Sequence, residues 1–375
     1  MLFDQIIDRK PTYSFKWEKY KGQDILPMWV ADTEFKCAQP ILNALQARTD
    51  HGLMGYTLPA HHQAANQAVV DWLARQYGWE ISADWIVWTP GVVPAFNVAC
   101  KAYCQPGDKV MIQTPNYPPL LAAPKINGLQ RVDIGTVEEN GRWTIDFSEL
   151  EKQAADPACK LFIVCNPMNP VGSVFSTEEL ARVTQICVDN DVLLCSDEIH
   201  CDLILDENAS HLPAGKIPEF NGKVVTLMAA SKTFNIAGLG TSFAIIEDPK
   251  TRLQFINAAK GIMPWVTVLG LEATLAAFTE CDEWHQALIT YLRGNLDYLT
   301  TEINKIDGLK LIPPQATFLA WIDASGLGVD NPQKYFEDKG VGPSPGADFG
   351  DKNFIRINFG CPREQLEQAI VRLTA

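Results

Sequence analysis

Four short segments carry residues whose types and spacing could do chemistry together. Ser231-Lys232-Thr233-Phe234-Asn235 follows an apolar, β-branched run at 224–228. A lysine at the carboxyl edge of a parallel sheet lies where such folds bind ligands, and desolvation there lowers its pKa and makes it a usable amine nucleophile. Read alone, a lysine after a strand is usually a solvated surface residue. Cys195-Ser196-Asp197-Glu198-Ile199-His200 closes a second apolar run. Asp197 there is either a helix-capping carboxylate or a buried acid that keeps an electron-accepting pyridine ring protonated, with Glu198 turned elsewhere. Asn166-Pro167-Met168-Asn169-Pro170-Val171-Gly172 follows a third run. Two Asn-Pro pairs and a glycine build a rigid turn, structural in itself, from which the Asn169 amide could donate to a phenolate oxygen. Thr89-Pro90-Gly91-Val92-Val93-Pro94-Ala95 reads as strand, glycine turn and helix start. Free amides at Gly91, Val92 and Val93, with the helix dipole, would cradle a phosphate, although any strand–glycine–helix join shares those features.

Each of these segments follows a predicted strand. The pattern predicts seven strands, at 86–89, 110–114, 131–134, 161–165, 192–196, 224–228 and 243–246. Most are apolar on both faces, as strands covered by helices on both sides must be. Amphipathic stretches lie between them, notably 176–190, where Thr177, Glu178 and Glu179 supply a polar, acidic first turn. The pattern therefore predicts an α/β fold with a mainly parallel seven-stranded sheet in a large domain over 46–281. Residues 1–45 read as irregular and aromatic-rich, and 282–305 as a long helix. Short strands near 316–322 and 354–359 precede a terminal helix from Arg363. The two ends, 1–45 and 282–375, are expected to form a smaller α+β domain beside the large one.

Bulk properties narrow the function classes. Hydrophobic residues make up 47% of the 375 and charged residues 20%, an ordinary soluble globular composition. A net charge of −14 argues against nucleic acid or an anionic membrane surface as partner, since phosphate binding needs surplus Lys and Arg. The 10 cysteines include no CxxC and no Cys/His cluster, and several sit inside apolar runs. They read as reduced core residues of a cytoplasmic protein. The start, MLFDQIIDRK, lacks the pattern of a signal peptide, and no apolar run approaches the ~20 residues of a membrane span. His61 and His62 are adjacent in what reads as a helix surface, a poor arrangement for one ion, so no metal is expected.

Seven motifs in order, GYTLP at 55–59, TPGVVPAF at 89–96, NYPPL at 116–120, NPMNPVG, SDEIH, SKTFN and IRINFG at 355–360, span nearly the whole chain. Together they resemble the class I/II aminotransferase family of fold-type I pyridoxal-5'-phosphate (PLP) enzymes, with the aspartate-aminotransferase-like fold. The resemblance implies a set of roles. Lys232 would hold PLP as a Schiff base, Tyr117 would stack on its ring, and Asn169 would bond the ring oxygen. Asp197 would pair with the ring nitrogen, and Arg356 would clamp the carboxylate of a small amino-acid substrate, a task that suits guanidinium. Tyr56 would reach the phosphate of the neighbouring subunit's cofactor and its substrate, which implies a homodimer with shared active sites. From the residues alone, Tyr56 and Tyr117 are also compatible with core aromatics and Arg356 with a surface ion pair.

Three positions depart from the common family pattern. His200 stands where many members have a cofactor-bonding tyrosine, Ala229 where many have a phosphate-binding serine, and Gly240 where many have a phosphate-binding arginine. The phosphate would then rely on Gly91, Val92 and Val93, on the partner's Tyr56 and on Ser231. With LPMWVADTEF at 26–35, these substitutions resemble the cystathionine β-lyase (C–S lyase) branch, in which Trp29, Ala31 and Asp32 would lie near the substrate entrance. The implied reaction is β-elimination from L-cystathionine or a related S-substituted L-cysteine to pyruvate, ammonia and a thiol. An aminotransferase shares every residue up to loss of the Cα proton and is the nearest alternative. A non-catalytic PLP-binding regulator would carry a fused DNA-binding domain, whereas this acidic chain opens directly into the family's N-terminal segment.

Overall fold

A computed structural model describes residues 2–375. The seven predicted runs are strands of one sheet: β1 (Ile86–Thr89), β2 (Lys109–Thr114), β3 (Gln130–Glu139), β5 (Cys159–Cys165), β6 (Leu193–Asp197), β7 (Val224–Met228) and β8 (Ser242–Ile245). An eighth, β4 (Arg142–Ile145), corrects the expected count of seven. β3 runs on beyond the sheet edge and doubles back through Asn140 and Gly141, both at positive φ (53° and 76°), the backbone that a two-residue hairpin turn of this kind requires. The order is β1-β8-β7-β6-β5-β2-β3-β4. β2, β3, β5, β6 and β7 are mutually parallel, while β8 is antiparallel to both β7 and β1. Two reversals restore direction, so the carboxyl end of β1 emerges at the same edge as those of the parallel strands.

Alternation along β5 shows why these runs are apolar on both faces. Leu161, Ile163 and Cys165 pack in one core with the Val92–Tyr103 and Pro249–Ala259 helices. Phe162 and Val164 pack in another with the Phe147–Ala154 and Thr177–Asp189 helices. The latter helix starts where expected, because Ser176 and Glu179 form a reciprocal capping box.

The chain ends build a second body around their own core. Four short strands, in the order Lys310–Leu311, Leu319–Asp323, Phe354–Asn358, Ser344–Pro345, form an antiparallel sheet. It packs with the Asp282–Ile303 and Arg363–Thr374 helices through Leu292, Leu299, Ile355, Ile357, Leu366 and Ile370, joined by Phe3, Met28 and Phe35 from the N-terminal segment. Residue 46, the expected boundary, falls inside the Gln39–His51 helix, whose Ile41 packs with Val69 and Trp72 of the large body. Amphipathicity in 39–51 is weak, so the pattern of these residues says little about which body the helix joins. His61 and His62 are not on a helix surface. A 3-10 turn ends at His61, and His62 caps the Gln63–Tyr77 helix by accepting the Ala65 amide (3.1 Å). All 10 cysteines are free, and all but Cys37 are buried. Among the described residues, no helix is long and apolar enough to cross a membrane.

Candidate active site

The carboxyl ends of the strands converge on one cavity of about 650 Å³, the edge at which open α/β sheets bind ligands. Gly91 follows β1 and caps the Val92–Tyr103 helix, whose first amides have no partner within the helix. Tyr117 lies beyond β2 as N-cap of the Pro118–Ile126 helix, its amide held by Asn116 Oδ1 (2.7 Å). Asn169 lies in the turn beyond β5, Asp197 ends β6, and Ser231 and Lys232 lie just past β7. Arg356 arrives from the second body. On the Phe354–Asn358 strand, Ile355 and Ile357 enter that body's core, so the residue between them must face the opposite side, into the cavity.

Burial sets the electrostatics of these groups. Lys232 donates to the Ala31 carbonyl (2.7 Å), and its pKa is lowered to about 8, chiefly by burial, against the opposing fields of Asp32 and Asp197. Asp197 accepts the Ile199 amide (3.2 Å), yet burial pushes its pKa up to about 7. His200 is held neutral, its pKa lowered to about 3 by burial and then by the nearby cations Lys232 and Arg356. Burial likewise raises the Tyr117 hydroxyl. Arg356 is 4% exposed and lowered to about 10. It donates to Asn169 Oδ1 (2.9 Å), the Trp29 carbonyl (2.7 Å) and Ser344 Oγ (3.3 Å), and its guanidinium lies 4.5 Å from the Phe349 ring centroid. None of these partners is an anion, and its Nε has no partner at all. A buried guanidinium without a counter-ion is a site for an incoming carboxylate.

The raised Asp197 carries a test of the electrostatics alone. Its folded-state pKa lies above the unfolded value, so its contribution favours folding below about pH 4 and is lost as the pH rises through about 7. In the ligand-free protein, Asp197→Asn should therefore gain stability over the wild type by about 1.4 kcal/mol for each pH unit between ~4 and ~7. Denaturant unfolding at pH 4.5 and pH 8 reads this directly, and an equal difference at both would mean that no buried charge is being relieved.

The structure brings Gly91, Val92, Val93, Tyr117, Asn169, Asp197, His200, Ser231, Lys232, Arg356, Trp29 and Ala31 to the wall of this one cavity. Two predicted residues lie elsewhere. The Asp32 carboxylate turns to Arg9 (2.7 Å) and Lys16 (3.6 Å) instead of lining the substrate entrance. Tyr56 is 97% exposed, beside Trp265, and does not line the cavity of its own chain. Glu198 turns away as expected, into a fully buried pair with His211 (2.7 Å). The sequence reading missed Ser344 and Phe349, which reach Arg356 because Ser344 pairs with it in the small sheet. It also missed Asn235, whose side chain bonds Thr33 N (3.1 Å), Thr33 O (3.1 Å) and Phe35 O (2.9 Å). Asn235 stands within the SKTFN motif, and its left-handed backbone (φ 56°), which favours Asn, was the available signal.

Comparison with known proteins places the chain in a family. A family model described as aminotransferase class I and II covers residues 30–373. The chain is 36% identical to cystathionine beta-lyase PatB of Bacillus subtilis, over 100% of this chain and 99% of that protein. It superposes on the crystal structure of OvoB with a TM-score of 0.96 at 42% identity, covering 100% of this chain and 98% of that one. It superposes on cystalysin of Treponema denticola, a structure containing pyridoxal 5'-phosphate, with a TM-score of 0.93 at 33% identity, covering 99% and 97%.

Proposed function

Because the chain belongs to the class I and II aminotransferase family, we propose that it is a PLP-dependent carbon–sulfur β-lyase acting on L-cystathionine or related S-substituted L-cysteines. One observation carries the reading: a buried amine of depressed pKa, a buried carboxyl and an unpaired guanidinium meet in one cavity. They do so in a chain similar along its whole length to a cystathionine β-lyase.

The residues fit PLP. Asp197, whose charge burial disfavours, is suited to a cationic ring nitrogen that would restore it. Asn169 spends its Oδ1 on Arg356, which leaves its Nδ2 to donate to the ring oxygen. His200 offers an unpartnered Nδ1 beside it. The amides of Gly91, Val92 and Val93, with the Ser231 hydroxyl, would hold the phosphate, and Tyr117 would stack on the ring. When bound, PLP supplies an electrophilic carbon for the substrate amine and a protonated ring that takes up the electron pair left at Cα.

The chain's own groups do the rest. Arg356 fixes the substrate carboxylate, and with it the orientation of the Cα–H bond. Lys232, held at the Ala31 carbonyl, takes the Cα proton; an amine with a pKa of about 8 is roughly one-tenth free base at pH 7, against well under a hundredth for a lysine of ordinary pKa. Asp197 keeps its negative charge opposite the ring nitrogen throughout. The Cβ–S bond then breaks with its electron pair on sulfur, and the thiolate takes up a proton. Water hydrolyses the released aminoacrylate, so that substrate and one water give thiol, pyruvate and ammonium.

The reading extends to assembly and location. Tyr56 and its exposed neighbours Leu53, Met54 and Leu58 would be covered by a second copy, placing Tyr56 at the partner's phosphate in a homodimer. Ten unpaired cysteines suit the reducing cytoplasm.

The test is pyruvate release from L-cystathionine by the PLP-loaded protein with no keto acid added. Equal pyruvate and thiol over many turnovers is expected. Amino transfer to a supplied keto acid, without pyruvate, would instead make the chain a transaminase.

A further inference from the structure

The 29–35 segment holds both key cations of the site through its backbone. Lys232 donates to Ala31 O (2.7 Å) and Arg356 to Trp29 O (2.7 Å). Asn358 donates to Val30 O and Asp32 O (2.6 Å each), and Asn235 to Thr33 O and Phe35 O. A loop with no regular secondary structure thus sets where the amine and the guanidinium rest.

What clasps that loop from outside is an ion quartet, with Lys16 and Glu34 buried and Arg9 and Asp32 partly exposed. Lys16, 1% exposed, pairs with Glu34 (2.7 Å) and Asp32 (3.6 Å) and donates to Asp32 O (3.3 Å). Arg9 pairs with Asp32 (2.7 Å) and Glu34 (3.0 Å). The Trp29 indole donates back to Lys16 O (3.0 Å), and Trp17 to Glu34 (3.3 Å). Two cations balance two anions, so the quartet is neutral as a unit. A buried lysine is expensive to desolvate, and its retention here needs a reason beyond packing.

We propose that Arg9 and Lys16 are positioning residues of the active site, fixing the 29–34 loop that holds Lys232 and Arg356 and neutralising the Asp32 carboxylate, whose field reaches Lys232. The inference rests on Lys232 and Arg356 being the residues that engage cofactor and substrate. Asp197 from β6 and Arg356 from the small sheet share the cavity with Lys232, and the charge of Asp32 reaches it from this loop. His200 and Tyr117 line the same cavity. Removing Lys16 leaves Asp32 and Glu34 undercompensated, and the added negative field favours the protonated form of the lysine nitrogen.

The readout is the pH titration of the bound cofactor's absorbance in the full-length holoenzyme, with amide hydrogen exchange over 29–34. Lys16→Met should move the titration midpoint upward by roughly half a pH unit to one unit, the order expected for one unmasked charge. Lys16→Met/Glu34→Gln restores charge balance and should return the midpoint close to wild type. Exchange over 29–34 should be faster in both variants. Lys21→Met, which removes only a surface pair with Glu18, should change neither. A midpoint unmoved in folded Lys16→Met, or equally shifted in the double variant, would overturn the proposal, because a purely structural role lowers stability without that pattern. If Lys16→Met does not fold, Arg9→Gln, at a partly exposed position, should give the same upward shift, and no shift there would count equally against the proposal. A wild-type protein with no titrating cofactor band would instead sink the reading of Lys232 itself.

Discussion

Lys232→Ala should lower kcat for pyruvate formation by at least about 10³-fold, since a positioned general base alone contributes ~10²–10⁴ and the amine also anchors the cofactor. The physical basis is the environment of Nζ. It is buried beside Asp197 and Arg356, its pKa lowered to about 8, so a larger fraction of it is free base at neutral pH than of a solvated lysine of ordinary pKa. Two further results separate this role from a packing role. Borohydride reduction should fix the cofactor to the wild-type chain at the peptide containing Lys232 and leave the variant unlabelled. A small primary amine in the buffer should recover part of the variant's activity through the space the side chain vacates. Cofactor fixed to the variant by reduction would mean that a different lysine is the attachment point.

The second large effect is at Arg356. Replacement by methionine keeps most of the side-chain volume but removes the buried positive charge and its three hydrogen-bonded partners. Loss of one partner of a buried charge pair costs ~2–5 kcal/mol, so kcat/KM should fall by roughly 10²–10⁴-fold. Most of the loss should lie in KM, because the carboxylate is gripped equally in the ground and transition states. Arg356→Lys should recover little, since a single ammonium cannot reproduce the bidentate fork while also holding Asn169 and the Trp29 carbonyl. A KM raised only a few-fold in the methionine variant would place the substrate carboxylate elsewhere.

Both predictions concern residues that chemistry in the sequence singled out, and the manner of that legibility differs. Lys232, Asp197 and Asn169 follow apolar runs, and a short β-branched run apolar on both faces fits a buried strand covered by helices on both sides. Strand direction then brings the carboxyl ends to one edge, so local pattern sufficed to bring these three together. The pairing of β3 with an eighth strand was less visible, since Arg142–Ile145 is short and mixed in polarity. Its turn residues, Asn140 and Gly141, were the stronger signal.

The residues that the sequence did not reveal act through partners on other elements. Ser344 meets Arg356 through strand register, Asn235 meets Thr33 and Phe35 across some two hundred positions, and Lys16 meets Glu34 because an aromatic-rich segment folds over a loop. Composition marks such residues as polar, and only packing against a particular neighbour makes them buried and paired. The Asp32 carboxylate pairs with Arg9 and Lys16, and the helix that contains residue 46 packs on Val69 and Trp72, neither of which its own segment announces. Direction of a carboxylate, and the body to which a weakly amphipathic helix belongs, are settled by competing partners on other elements. The sequence by itself determined the strands, the edge at which they end and the chemistry carried there, because those follow from local polarity and backbone geometry. The tertiary structure decided which charges are left uncompensated, because a pKa or an ion pair depends on everything that surrounds the group.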